Sequence, residues 1–220
     1  MNIGGRTPLD NNCGGCRRAA VSRCLVGGRG ERYLNPMILL RHGQSEFNLH
    51  FTATRRDPGI IDAPLTPGGH EQAEAAAQTL RGKGITRILA SPYTRALQTA
   101  EPISRVLGVP VHIDVLVRER YKFACDVGSH RDTLVRDWPH RDFSAIESVW
   151  WPSDEEDAAS IVARAGSFRA AMAGDPEWAT TLVVSHWGFI LAMTGVSVMN
   201  GNWIACDPTA PAPAELVWKV

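Results

Sequence analysis

Between residues 37 and 185 one device recurs: a short, mostly apolar run, a cluster of chemistry-bearing side chains, then a stretch of helical periodicity. Met37, Ile38, Leu39 and Leu40 are apolar without alternation. Such a run suits a strand buried on both faces, as in a parallel sheet covered by helices. Ile85 to Ala90, Val111 to Val117 and Thr181 to Ser185 read as further strands, and Glu215 to Lys219 as a final edge strand. Between them lie helical signals. Thr66 before Pro67 offers an N-cap and a proline at the first helical position, with Ala73, Ala76, Ala77 and Leu80 behind it. Ser91 and Pro92 give the same signal ahead of a face made by Ala96, Ala100, Ile103 and Leu107, in which Pro102 predicts a kink or a split. Ser153 and Glu156 fit a capping box ahead of Ile161, Ala165, Phe168 and Met172, and a last helix covers residues 188–194. Residues 118–152 show weak periodicity and read as a lid or binding loop. Strands alternating with helices predict an α/β three-layer sandwich, with a mainly parallel central sheet and helices on both faces.

Composition narrows the function classes. At 220 residues, the chain is one domain or one domain plus a tail. Lys+Arg and Asp+Glu balance at 23 each, which argues against nucleic-acid binding through bulk charge. No apolar run is long enough for a transmembrane helix. Five cysteines at scattered spacings argue against a disulfide framework, so a reducing, cytoplasmic setting is expected. The charge is uneven: residues 1–36 hold six arginines against Asp10 and Glu31. That glycine-rich segment reads as a flexible basic extension, and Met37 opens the folded part. Cys13, Cys16 and Cys24 lack the fourth ligand of a structural zinc site. Arg17 and Arg18 are a weak match to an export signal, because Arg23 breaks the apolar stretch behind them, and a transit peptide would be richer in serine.

In open α/β sheets ligands bind beyond the carboxyl ends of the strands. Here those ends carry Arg41, His42 and Gly43; Ser91 to Arg95; Arg118, Glu119 and Arg120; and Ser185, His186, Trp187 and Gly188. Two imidazoles, several guanidinium groups and one carboxylate, with no obvious metal-ligand set, suit an anion and phosphate above all. Arg41, Arg95 and a protonated His186 would offset the phosphate charge, with helix N-termini adding N–H groups. His42 would be the nucleophile, its other ring nitrogen bonded to a backbone carbonyl. Glu119 would be the general acid, then the base toward water, with burial raising its pKa. His50, His70, His112, His130 and His140 read as ordinary surface or structural residues.

With these motifs in order, the chain resembles the histidine phosphatase superfamily, also called phosphoglycerate-mutase-like. The matching blocks are Leu40 to Asn48, Asp62 to Gly69 with Gln72 and Ala73, Ser91 to Ala100, Val117 to Glu119, and Val184 to Gly188. The resemblance covers about residues 37–205. It implies that His42 is phosphorylated, that Arg41, Arg95 and His186 form the phosphate pocket, that Asn48 and the Gln44 region add polar contacts, and that Glu119 is the acid. It implies no cofactor and no metal. The substrate would be a phosphorylated small molecule or phosphoprotein, with no nucleic acid or membrane as partner; oligomeric state stays open. Residues 120–128 depart from the mutase pattern, which favours hydrolysis over phosphoryl return. A mutase and a non-catalytic phosphate-binding regulator remain as alternatives. Arg55, Arg56, Lys122 and Arg131 hint at a second anionic group on the substrate, and Trp150 and Trp151 read as packing beneath the lid.

Overall fold

In a computed structural model of the chain, which describes residues 36–218, the first apolar run is strand β1 (Met37–Arg41). It pairs in parallel with the later run Thr181–Ser185, with Leu39 beside Val183 and Arg41 beside Ser185. Arg87–Ala90 forms β2 and Val111–Ile113 forms β3, each parallel to its neighbour. With Thr181–Ser185 as β4 and Trp203–Cys206 as β5, the sheet order is β3-β2-β4-β1-β5, and only β5 runs antiparallel. The carboxyl ends of β1, β4 and β2 therefore lie side by side.

Helices α1 (Glu46–Thr54) and α2 (Pro67–Thr79) follow β1, and α3 (Thr94–Leu107) follows β2. A short α4 (Arg131–Asp137) and a long α5 (Ala158–Ala173) precede β4, and α6 (Trp187–Thr194) leaves it. Side chains alternate across a strand. Ile38 and Leu40 accordingly join one core with Ala76, Ala77, Leu80, Ala96, Ala100 and Ile103, while Met37 and Leu39 join another with Ile161, Ala165, Phe168, Met172, Phe189 and Ile190. The unbroken apolar run is thus buried from both sides, and the expected three-layer α/β class stands.

Several local expectations are corrected. The edge strand is Trp203–Cys206, which takes the free side of β1; residues 215–218 form no strand, and Trp218 instead packs edge-on against Trp187. Ser91 does not cap α3. Its hydroxyl bonds His186, and the helix opens at Thr94, whose N–H and hydroxyl donate to the Asp62 carboxylate at 2.9 and 2.7 Å. The capping box at Ser153 and Glu156 is absent. Arg164 takes the Glu156 carboxylate at 2.6 and 2.8 Å, and Asp157 caps α5 instead. α3 runs unbroken through Pro102, packed along α2. β3 ends at Ile113 and a 3-10 turn at Val115–Val117 carries the chain on toward Glu119. Residues 118–152 contain a 3-10 turn at Ala124–Asp126 and α4, and they are fastened to the body. Trp150 donates to the Ser129 carbonyl at 2.9 Å and lies 4.6 Å from the Tyr93 ring. The basic extension and its three cysteines lie outside the described residues, save Pro36.

Candidate active site

His42 directly follows β1, and its backbone N–H continues the ladder to the Ser185 carbonyl at 2.9 Å. The side chain is buried. Its Nδ1 sits 2.6 Å from the Gly43 carbonyl oxygen. A carbonyl only accepts, so Nδ1 carries the proton and Nε2 keeps its lone pair. Burial first, and then the Arg95 and Arg41 charges, hold the imidazole pKa well below its ordinary value. His42 is therefore neutral at physiological pH, the state a nucleophile needs. Gly43 is forced by packing: a Cβ there would lie 2.3 Å from the Gly69 carbonyl oxygen.

The His186 ring lies 5.0 Å from that of His42, centroid to centroid. Its Nδ1 accepts from Arg95 Nε at 3.3 Å, so its proton sits on Nε2, which donates to Ser91 Oγ at 2.8 Å. Burial, with the Arg95 charge next, depresses its pKa strongly. With Nδ1 accepting from Arg95, the His186 ring is neutral here; the protonated ring expected from the sequence is one set against a phosphate.

Arg95 stands in the first turn of α3 and is 2% exposed. Besides His186 it donates to the Cys125 carbonyl at 2.7 Å and to Asp126 Oδ1 at 3.0 Å. A guanidinium has five donors, so two remain for a ligand. Arg41 donates to the Val198 carbonyl at 2.9 Å, while its buried Nε has no hydrogen-bond partner. Burial lowers the Arg41 pKa to about 10. A buried donor without a partner is costly, and an anion oxygen would satisfy it.

Glu119 accepts from its neighbour Arg120 N–H at 2.8 Å and from Gly188 N–H, in the first turn of α6, at 2.9 Å. Those bonds favour the carboxylate, but burial outweighs them, and nearby Asp126 adds to it, so the pKa is raised. Arg164 reaches from α5 to the carbonyls of Leu116, Arg118 and Glu119 at 2.7, 2.8 and 3.3 Å, fixing the segment that presents the Glu119 carboxyl. Gly188 is required by the same contact, since a Cβ there would come 2.5 Å from Glu119 Oε1. Gly188→Ala is expected to displace the Glu119 carboxylate and to lower kcat about 10²-fold, the size of effect that a misplacement of about 1 Å near a reacting centre brings, with a far smaller change in the unfolding midpoint. Equal kcat in the two proteins would show that Glu119 is not held there.

Asn48 Oδ1 accepts from Ser45 N–H, Ser45 Oγ and Asn200 Nδ2 at 3.1, 3.1 and 3.0 Å, which turns its Nδ2 into the end left for a ligand. Gln44 is not at the site, because its side chain faces Thr66 Oγ1 at 3.0 Å. The helix N-termini are less open than expected: Ser45 Oγ takes the Asn48 N–H, Asp62 the Thr94 N–H and Glu119 the Gly188 N–H. Arg41, His42, Asn48, Arg95 and Glu119 line one cavity of about 300 Å³, and His186 sits behind it on Arg95. Arg55, Arg120 and Lys122 also reach this cavity, whereas Arg56 and Arg131 do not. The five remaining histidines are exposed and away from it.

Three residues escaped the sequence reading. Asp126 pairs with Arg95, and its Oδ2 accepts from the Lys122 and Phe123 N–H groups at 3.1 and 3.0 Å. Thr99 Oγ1 accepts from Gly43 N–H at 3.1 Å. Asn200 Nδ2 donates to the His42 carbonyl at 3.1 Å. Asp126 and Asn200 lie outside the recognisable motifs, so only their positions in space reveal them. Among the described residues no cluster of three metal-ligating side chains occurs.

The sequence profile described as "Histidine phosphatase superfamily (branch 1)" matches residues 37–207. A protein of Enterobacter sp. (strain 638) named "Probable phosphoglycerate mutase GpmB" is 33% identical, over 68% of this chain and 68% of its own length. Glucosyl-3-phosphoglycerate phosphatase of Mycobacterium tuberculosis is 28% identical, over 77% of this chain and 78% of its own. A solved structure of the mycobacterial glucosyl-3-phosphoglycerate phosphatase with VO3 superposes with a TM-score of 0.53 at 25% identity, covering 77% of this chain and 89% of that one.

Proposed function

Because the chain belongs to the histidine phosphatase superfamily (branch 1), we propose that it is a phosphatase that hydrolyses a phosphomonoester through a phosphohistidine on His42. One observation carries the reading: a neutral imidazole with Nδ1 fixed on the Gly43 carbonyl and Nε2 free, in a cavity walled by Arg41, Arg95 and Glu119.

In the first step the Nε2 lone pair attacks phosphorus and the bond to the ester oxygen breaks. Protonated Glu119 delivers its proton to that leaving oxygen. Arg41, Arg95 and the Asn48 amide hold the non-bridging oxygens, and His186 supports Arg95 from behind by accepting from its Nε. In the second step the Glu119 carboxylate takes a proton from water, the water oxygen attacks phosphorus and the N–P bond breaks. Inorganic phosphate leaves and both residues return to their starting states.

Hydrolysis is favoured over phosphoryl return because residues 120–128 lack the mutase pattern, and the mycobacterial relative bears a phosphatase name. The mutase name of the Enterobacter relative keeps the second reading in the test. The full chain is incubated with 4-nitrophenyl phosphate, and separately with 3-phosphoglycerate and its bisphosphate primer. Steady release of inorganic phosphate is the expected result. Isomerisation of phosphoglycerate faster than phosphate release would establish the mutase, and no turnover at all a binding protein.

The pH dependence follows from the two opposed shifts. His42 must be neutral, so kcat/KM falls only as pH drops through its depressed pKa, below the ordinary histidine value of about 6.5. Glu119 must be protonated, so activity falls as pH rises through a value above the ordinary carboxylate range. Glu119→Gln is expected to erase that alkaline limb and to lower kcat for an alkyl phosphate by about 10²–10⁴-fold. Its effect on 4-nitrophenyl phosphate, whose leaving group needs no proton, should be much smaller. An unchanged alkaline limb would assign the acid elsewhere.

A further inference from the structure

The same cavity is also lined by an aromatic group that phosphate chemistry does not use. Phe47 and Phe51 of α1 and Phe123, just before the Ala124–Asp126 turn, meet there, with ring centroids 5.1, 5.2 and 5.0 Å apart. They form a small cluster of their own, apart from the two cores that flank the sheet. Phe51 and Phe123 are only partly buried, and both line the cavity that holds His42 and Arg95. A cluster needed only for packing would bury those faces; here they present apolar aromatic surface to a ligand space. Two cations border this wall. The Arg55 guanidinium lies 5.9 Å from the Phe51 centroid and the Lys122 ammonium 6.0 Å from that of Phe123. Neither forms an ion pair among the described residues. The acids lining the cavity are Glu119 and Asp126; the first is the proton donor and the second is paired with Arg95. Asp57, two residues beyond Arg55, spends its carboxylate on the Gly59 and Ala124 N–H groups.

From this placement, and resting on the reading that the cavity takes a phosphoryl group, we infer that the leaving group carries a flat apolar ring against Phe51 and Phe123, with an anionic substituent at its outer edge facing Arg55 and Lys122. The substrate class is then an aromatic phosphomonoester bearing a carboxylate or similar anion. A polyhydroxylated leaving group would gain less, because its hydroxyls would lose water against phenylalanine faces without finding partners. A cavity of about 300 Å³ accommodates one ring beside the phosphate, at the small end of ligand sites.

The test uses phosphonates, which bind without turnover, and the full chain. Dissociation constants for ethylphosphonate, benzylphosphonate and 4-carboxybenzylphosphonate are measured by calorimetry. Benzylphosphonate is expected to bind about tenfold more tightly than ethylphosphonate, the strength of one buried aromatic pairing. The added carboxylate should bring a further gain of a few-fold that fades with salt. Phe51→Ala should remove the ring preference, and Arg55→Ala and Lys122→Ala combined the carboxylate gain. Equal affinity for the ethyl and benzyl compounds, or a ring preference that survives Phe51→Ala, overturns the inference, as does a carboxylate that weakens binding. A ring preference without hydrolysis of any ester would instead sink the phosphatase reading, and hydrolysis without a ring preference would sink this one alone.

Discussion

Replacing His42 with alanine is expected to reduce turnover of every phosphomonoester to background, a loss on the order of 10⁴–10⁶-fold by analogy with removal of other covalent nucleophiles. The argument is geometric. Nε2 of His42 is the lone pair presented to the cavity with its tautomer fixed. His186 cannot stand in, because its Nδ1 accepts from Arg95 and its Nε2 donates to Ser91. The same variant should lose acid-labile labelling by a radioactive phosphodonor. Phosphate binding should largely remain, since Arg41, Arg95 and Asn48 are untouched. A variant that still labels, or turns over at more than a hundredth of the parent rate, would remove His42 from the role given to it.

The second large effect concerns a residue that never touches the substrate in this scheme. Asp126→Ala leaves the Arg95 guanidinium buried without its counter-charge; the two side chains are 3% and 2% exposed. Breaking a buried pair in this way costs about 3–5 kcal/mol, a large share of the stability of an ordinary domain. The Lys122 and Phe123 N–H groups lose their acceptor at the same time, so the segment carrying the aromatic wall should loosen as well. Denaturant unfolding measures the loss directly. Asp126→Asn separates the two contributions, because an amide oxygen can still accept from the loop but supplies no charge. A loss below about 1 kcal/mol in Asp126→Ala would mean that Arg95 finds another partner and that Asp126 is incidental.

Much of this was legible in the chain. The run Met37–Leu40, apolar without alternation, became a strand covered on both faces, with Leu39 and Leu40 in opposite cores, and Arg87–Ala90, Val111–Ile113 and Thr181–Ser185 became the other parallel strands. The N-cap at Thr66 with Pro67 behind it formed as expected. Where side-chain competition decided, local signals failed. Ser91 and Glu156 each had the right neighbours for a cap, but His186, distant in sequence, and Arg164, two turns further along in α5, took them first. The final strand was misplaced because Glu215 to Trp218 and Trp203 to Cys206 have similar β-forming character, and only the free edge of β1 selects between them.

The candidate site divides the same way. His42, Arg41, Arg95 and His186 follow from the order of strands and from what sits at their carboxyl ends, since the sheet must gather those ends on one rim; Glu119 arrives there only through the 3-10 turn beyond β3. Charge states, the Asp126 clamp on Arg95 and the meeting of Phe47, Phe51 and Phe123 do not follow, because they depend on burial and on angstrom-scale proximity between segments with no fixed spacing. Linear pattern specified which groups arrive at the rim; desolvation and packing in three dimensions specified their protonation and what they face.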